Sequence, residues 1–139
     1  PILSFTTEEI FQLVTKNDKS IHLEEFLKYP KKFENFELNE KWTELLKIRD
    51  VCNLSIEEKR SNKEIGSSLE AELEISLNEK LFEISKNVDF SELCITSKST
   101  VKKIDSNEII VKSKKADGKK CSICWKVTSE KCKRPSCSI

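Results

Sequence analysis

Four cysteines crowd the end of this 139-residue chain: Cys121, Cys124, Cys132 and Cys137 fall within 17 residues. So short a stretch has almost nothing apolar to bury, so a metal could supply the folding free energy that packing cannot. Cys121-Ser-Ile-Cys124 has the two-residue spacing with which a tight turn presents two thiolates to one ion, and the four residues between Cys132 and Cys137 stay within the range of zinc pairs. Zinc suits four thiolates because it is borderline soft and asks only for a tetrahedron. A disulfide pair or a redox-active dithiol is the rival reading. It is disfavoured by a reducing compartment and by the lack of a thioredoxin-like unit around the pair. One structural Zn2+ is therefore expected. Cys52 and Cys94 stand alone in apolar patterns and read as core residues.

Charge is divided along the chain. Residues 1–97 hold 13 Lys+Arg against 20 Asp+Glu, whereas residues 98–139 hold 12 against 4. An acidic scaffold with a basic end suits a polyanion, although solvated charge without a partner gives the same pattern. Four thiolates and one zinc ion together carry −2, so a loaded tail stays cationic. Lys119, Lys120, Lys126, Lys131, Lys133 and Arg134 would surround the metal beside Trp125. Basic groups next to an aromatic ring are the equipment for phosphate contacts and base stacking in RNA. Trp125 equally fits the hydrophobic plug of a metal module.

Upstream, Thr6 and Glu9 spell a capping box, with Phe5 and Ile10 as its staple and Ile10, Phe11, Leu13 and Val14 as a one-sided stripe. A loop is expected from Lys16 to Phe36. Asn39 reads as the cap of the longest helix, running to about Asn62 with Trp42, Leu45, Leu46, Cys52 and Ile56 facing the core and Gly66 marking the exit. Arg49 falls near that stripe, as a buried ion-pair partner or a phosphate reader. Leu69, Ala71, Leu73, Ile75 and Leu77 alternate with Glu70, Glu72, Glu74 and Ser76, the period of a strand buried on one face. A helix over 79–86 capped by Asn78 and short strands over 93–96 and 108–113 complete the pattern. The fold class is α+β: a helical segment over 1–66, a small strand–helix–strand–strand unit over 67–117, and a zinc-ribbon or knuckle-like four-cysteine tail over 118–139.

No catalytic constellation appears. His22 is the single histidine, no serine or cysteine triad can be built without it, and there is no phosphate-binding glycine run. No apolar run approaches the ~18 residues of a membrane helix, and the chain opens without a signal-peptide pattern. A cytoplasmic monomer with no membrane partner is expected, and Pro1 in place of a methionine leads us to expect sequence upstream.

Several blocks carry a family likeness. Pro1-Ile-Leu-Ser-Phe-Thr-Thr-Glu-Glu-Ile10 resembles the entry to the anticodon-binding helical domain of bacterial isoleucyl-tRNA synthetases, and Ser20-Ile-His-Leu-Glu-Glu-Phe26 resembles the loop after it. Trp42, Leu45, Leu46, Arg49 and Asp50, continuing through Arg60, Lys63 and Ile65-Gly-Ser-Ser-Leu-Glu-Ala71, are similar to the next helix and strand. Gly118-Lys-Lys-Cys-Ser-Ile-Cys-Trp125 resembles the opening of that family's C-terminal zinc module. Seven residues between Cys124 and Cys132, four rather than two within the second pair, and Ile123 in place of a basic residue depart from the family's usual pattern. The resemblance implies that Cys121, Cys124, Cys132 and Cys137 ligate zinc and that the chain grips the anticodon stem-loop of tRNA(Ile). It also implies that ATP and isoleucine are handled by a catalytic domain upstream of Pro1. A stand-alone zinc-stabilised RNA-binding module and a zinc-stabilised protein-interaction domain are the alternatives from other classes.

Overall fold

The computed structural model describes residues 2–16, 18–132 and 137. They form two compact units, residues 1–35 and 36–139.

In the first unit, helix α1 (Ser4–Thr15) begins two residues before the expected cap. Leu3 precedes it without a side-chain cap, and Thr7 Oγ1 donates to the Leu3 carbonyl at 2.7 Å, so the Thr6–Glu9 capping box does not form. Glu8 instead organises the unit. Its carboxylate accepts from Ser20 Oγ and from the Ile21 N–H, each at 2.9 Å, with His22 Nε2 at 3.9 Å, which ties the following loop back to the helix. None of the described residues of this unit is buried, and Phe5, the expected staple, is exposed.

The second unit starts with helix α2 (Phe36–Ser61). It runs one turn beyond the expected Asn39 cap because Glu37 and Lys41 pair at 2.6 Å across that turn, and both belong on a helix. Lys63, at φ 58°, turns the chain out of the helix rather than Gly66. Leu45, Ile48, Cys52 and Ile56 form the buried stripe, whereas Trp42 and Leu46, expected in the core, are exposed.

Strand β1 (Ala71–Leu77) is the centre of a three-stranded sheet. Helices α3 (Glu79–Ser85) and α4 (Phe90–Leu93) then lead to β2 (Lys98–Lys103), which pairs parallel to β1 with Glu72 opposite Lys98. Strand β3 (Ile110–Lys115) pairs antiparallel on the other side, with Glu72 opposite Lys114. Asn78 caps α3 as expected, its side chain accepting from the Leu81 N–H at 2.9 Å. The strand expected over 93–96 is instead the last residue of α4 and the turn that follows it. Asp89 accepts from the Ser91 N–H and starts a helical turn there, and Ile95 leaves it with φ 54°.

Leu73, Ile75 and Leu77 are fully buried on one face of the sheet, where they meet the α2 stripe, Leu81 and Phe90. Ser113 Oγ donates to the Ser55 carbonyl at 2.8 Å and pairs with the Ser55 hydroxyl at 2.7 Å, fixing α2 on β3. No helix of the described residues is long and apolar enough to cross a membrane.

Candidate metal centre and its anchors

After β3 the chain enters a small hairpin, β4 (Lys119–Lys120) against β5 (Val127–Thr128). Its entry requires glycine. Gly118 sits at φ 133°, and a Cβ there would lie 2.2 Å from the Thr128 carbonyl oxygen. Between the two strands the loop folds on itself: the Cys121 N–H donates to the Lys126 carbonyl at 2.9 Å and the Trp125 N–H to the Cys121 carbonyl at 3.0 Å. The turn carries Cys121 and Cys124 on one side.

The ligand sulfurs of Cys121, Cys124, Cys132 and Cys137 all lie within 4.8 Å of one another. Tetrahedral zinc with bonds of about 2.3 Å places its sulfurs roughly 3.8 Å apart, and Cys124 and Cys132 are already 3.7 Å apart. All four are free thiols. That separation is far beyond a disulfide bond of about 2.05 Å. The cluster could hold one metal ion, and an all-thiolate donor set fits zinc.

The turn prepares its sulfurs for deprotonation. Backbone N–H groups of Cys124 and then Ile123 point at the Cys121 sulfur and bring its thiol down to about 6, so the thiolate predominates at neutral pH. The Lys126 backbone N–H lowers Cys124 in the same way. Cys52 and Cys94 are core thiols paired with each other. The Cys52 S–H donates to the Cys94 sulfur, which together with burial pushes the Cys52 thiol upward and brings Cys94 down.

Contacts to the loop before β2 and to α4 fasten the module, and a third holds the chain just ahead of it. Ser97 Oγ donates to the Leu69 carbonyl at 2.5 Å and accepts from the Val127 N–H at 2.6 Å. Lys126, 8% exposed, drives its ammonium onto the Glu92 carboxylate at 2.6 Å. The Ala116 N–H donates to the Glu70 carbonyl at 2.8 Å. Nothing in the spacing of the sequence marks Ser97 or Glu92, which lie about 30 residues from their partners and use a backbone N–H and one ordinary lysine.

The basic residues expected around the metal divide between several places. Lys126 is an anchor, turned inward. Lys119 is exposed, and Lys120 lies 3.7 Å from Glu70 with its ammonium 5.8 Å from the Trp125 ring centre. Lys133 and Arg134 lie outside the described residues. Arg49 is half-buried on α2, where its charge acts on the Cys94 thiol. Trp125 is 60% exposed, so it is no plug. It also holds φ 64°, a left-handed conformation that costs an L-residue about 1–2 kcal/mol.

A family model described as the anticodon-binding domain of tRNA ligase matches residues 1–75. The chain belongs to this anticodon-binding family. The matched residues cover the first unit, helix α2 and most of β1, and end before Ser97 and Glu92, which hold the cysteine module. The chain is also similar, over nearly its whole length, to curated isoleucine–tRNA ligases. Identity to that of Pelagibacter ubique is 64% over 136 residues, covering 98% of this chain and 15% of the relative. Identity to that of Caldicellulosiruptor saccharolyticus is 39%, covering 91% and 14%, and to that of Agrobacterium fabrum 33%, covering 94% and 15%. The chain thus spans about 15% of the length of these relatives.

Proposed function

We propose that this chain is the tRNA-gripping part of an isoleucine–tRNA ligase, and that a four-cysteine zinc module aims Trp125 at a base of the anticodon stem-loop of tRNA(Ile). One observation carries the reading. A tryptophan occupies a left-handed position that favours glycine, and the ring it presents is open to solvent with a lysine ammonium over it. Protein chains retain such strain where the exposed group has work to do, and a flat ring beside cations suits an unstacked RNA base and its phosphates. The family match supports tRNA as the partner, and the similarity to isoleucine–tRNA ligases supports tRNA(Ile) among tRNAs.

In this reading Lys119 and Lys120 contact phosphate beside the ring, Lys133 and Arg134 contribute further positive charge, and Arg49 supports the helix from its half-buried position. Cys121, Cys124, Cys132 and Cys137 hold one zinc ion, which supplies structure and no chemistry. Activation of isoleucine with ATP, and its transfer to tRNA, belong to other parts of a cytoplasmic, monomeric enzyme. The expected organisation over 1–66, 67–117 and 118–139 then assigns the helical, connecting and metal-bound parts of the grip.

Fluorescence anisotropy of labelled tRNAs against the zinc-loaded protein tests the reading. Binding should favour tRNA(Ile), weaken steeply with added salt, and fall when a chelator removes the metal. Equal affinity for every tRNA would refute the assignment to tRNA(Ile). No tRNA affinity with a tightly held zinc ion would point to a protein-interaction domain.

A further inference from the structure

The core accounts for one face of the sheet and leaves the other open. Residues in register share a face, so Glu72 and Glu74 of β1 stand with Lys98 and Lys102 of β2 and with Lys112 and Lys114 of β3. Four ammonium groups thus flank two carboxylates, a surplus of two positive charges on a face about 10 Å across.

Depth separates the two signs further. The Glu72 side chain is 10% exposed and Glu74 38%, whereas Lys98, Lys102 and Lys114 are 53–66% exposed. Glu72 lies 3.1 Å from Lys98 and 3.7 Å from Lys114. Glu74 lies 3.5 Å from Lys114 and 3.8 Å from Lys102. The carboxylates form a floor in the central strand that steadies the lysines, and the ammoniums form the layer that an approaching partner meets first. Lys112, also exposed, has no ion pair among the described residues. Half of the 12 basic residues of the 98–139 segment lie on β2 and β3 rather than around the cysteines.

The face runs into the metal module. Lys98 follows Ser97, the residue that holds the Val127 N–H. One cleft of about 380 Å³ lies between the sheet and the hairpin, where Lys98 and Lys131 stand among Glu72, Asp117 and Glu130, so the positive charge is concentrated on the sheet face itself. A cationic, aromatic-free face that adjoins the hairpin suits a sugar–phosphate backbone and offers little to an apolar protein partner.

We propose that this open sheet face is a second RNA contact, in which Lys98, Lys102, Lys112 and Lys114 hold phosphates of the strand whose base meets Trp125. The proposal rests on the tRNA-binding reading above. It is tested with the zinc-loaded protein by measuring tRNA affinity across a salt series for wild type, the Lys102→Gln/Lys112→Gln double variant, Glu74→Gln and Trp125→Ala. The lysine variant should weaken binding about tenfold at 0.1 M salt and flatten the slope of log K against log salt by about 1 to 2. Glu74→Gln should tighten binding a few-fold, because it removes a negative charge from the floor. This second variant keeps the test sharp if the first folds poorly. Unchanged affinity and slope in both sheet variants, with Trp125→Ala weakened, would overturn the sheet contact and leave the module's grip standing. Absence of wild-type tRNA binding would overturn both.

Discussion

Trp125 offers a test in which two effects of one residue move in opposite directions. Replacing it with alanine keeps the left-handed backbone strain at φ 64° and removes the ring. Replacing it with glycine removes both. Glycine usually destabilises a folded site relative to alanine by about 0.5–1 kcal/mol through its larger entropy loss. Here the relief of about 1–2 kcal/mol for leaving an L-residue out of the left-handed region outweighs that penalty. Trp125→Gly should therefore be more stable than Trp125→Ala by about 1 kcal/mol, the reverse of the ordinary order. Loss of the ring costs both variants the same lysine contact, worth about 0.5 kcal/mol at this exposure. Zinc affinity measured by competition with a chromophoric chelator reads the difference, since 1 kcal/mol is about fivefold in an equilibrium constant. tRNA affinity should drop alike in the two variants, by about 1–3 kcal/mol for one lost stacked base. Alanine as stable as glycine would refute the strain argument. Unchanged tRNA affinity in both would refute the stacking role.

Three further outcomes follow from the same site. Gly118→Ala should cost about 3 kcal/mol and weaken zinc binding more than a hundredfold, because its Cβ meets the Thr128 carbonyl at 2.2 Å and its φ is hostile to side chains; chelator competition checks it. Ser97→Ala should cost about 2 kcal/mol in denaturant unfolding, since the Val127 N–H loses its partner and the Leu69 carbonyl its donor, while Ser97→Thr should retain most of the stability. Stripping the metal should loosen the hairpin, with a change in Trp125 fluorescence, and leave the core of Leu73, Ile75 and Phe90 folded, as amide exchange over β1 would show.

The parts of the structure that could be read in advance share a physical cause. Strand β1 was legible because burial on a single face writes a strict alternation into its residues, and Asn78 because a cap is a local contact. Strand β2 was hidden: Lys98-Ser-Thr-Val-Lys-Lys103 offers one apolar side chain, and its place is set by pairing with a strand more than twenty residues earlier. The apolar run over 93–96 was the more tempting strand, yet a single Asp89 hydrogen bond commits it to a helical turn. Trp42 and Leu46 fit the helical spacing of a core stripe, but burial along α2 falls at Leu45, Ile48, Cys52 and Ile56. The gathering of Cys121, Cys124, Cys132 and Cys137 was legible from their spacing. The inward role of Lys126 was not, because only its distant partner Glu92 distinguishes it from its neighbours.

The central position of β1 has a consequence for the chain as it is being made. Both of its neighbours are synthesised after it, and the second pairing is complete only at Lys115, 38 residues beyond Leu77. At about 5–20 residues per second, the edge that β3 covers stays unpaired for roughly 2–8 seconds. An unguarded segment of this kind is a template for strands of other nascent chains. Glu72 and Glu74, spaced along it, are the residues that make such wrong pairings electrostatically costly, and the lysines that later flank them in the sheet are what make the right pairing cheap.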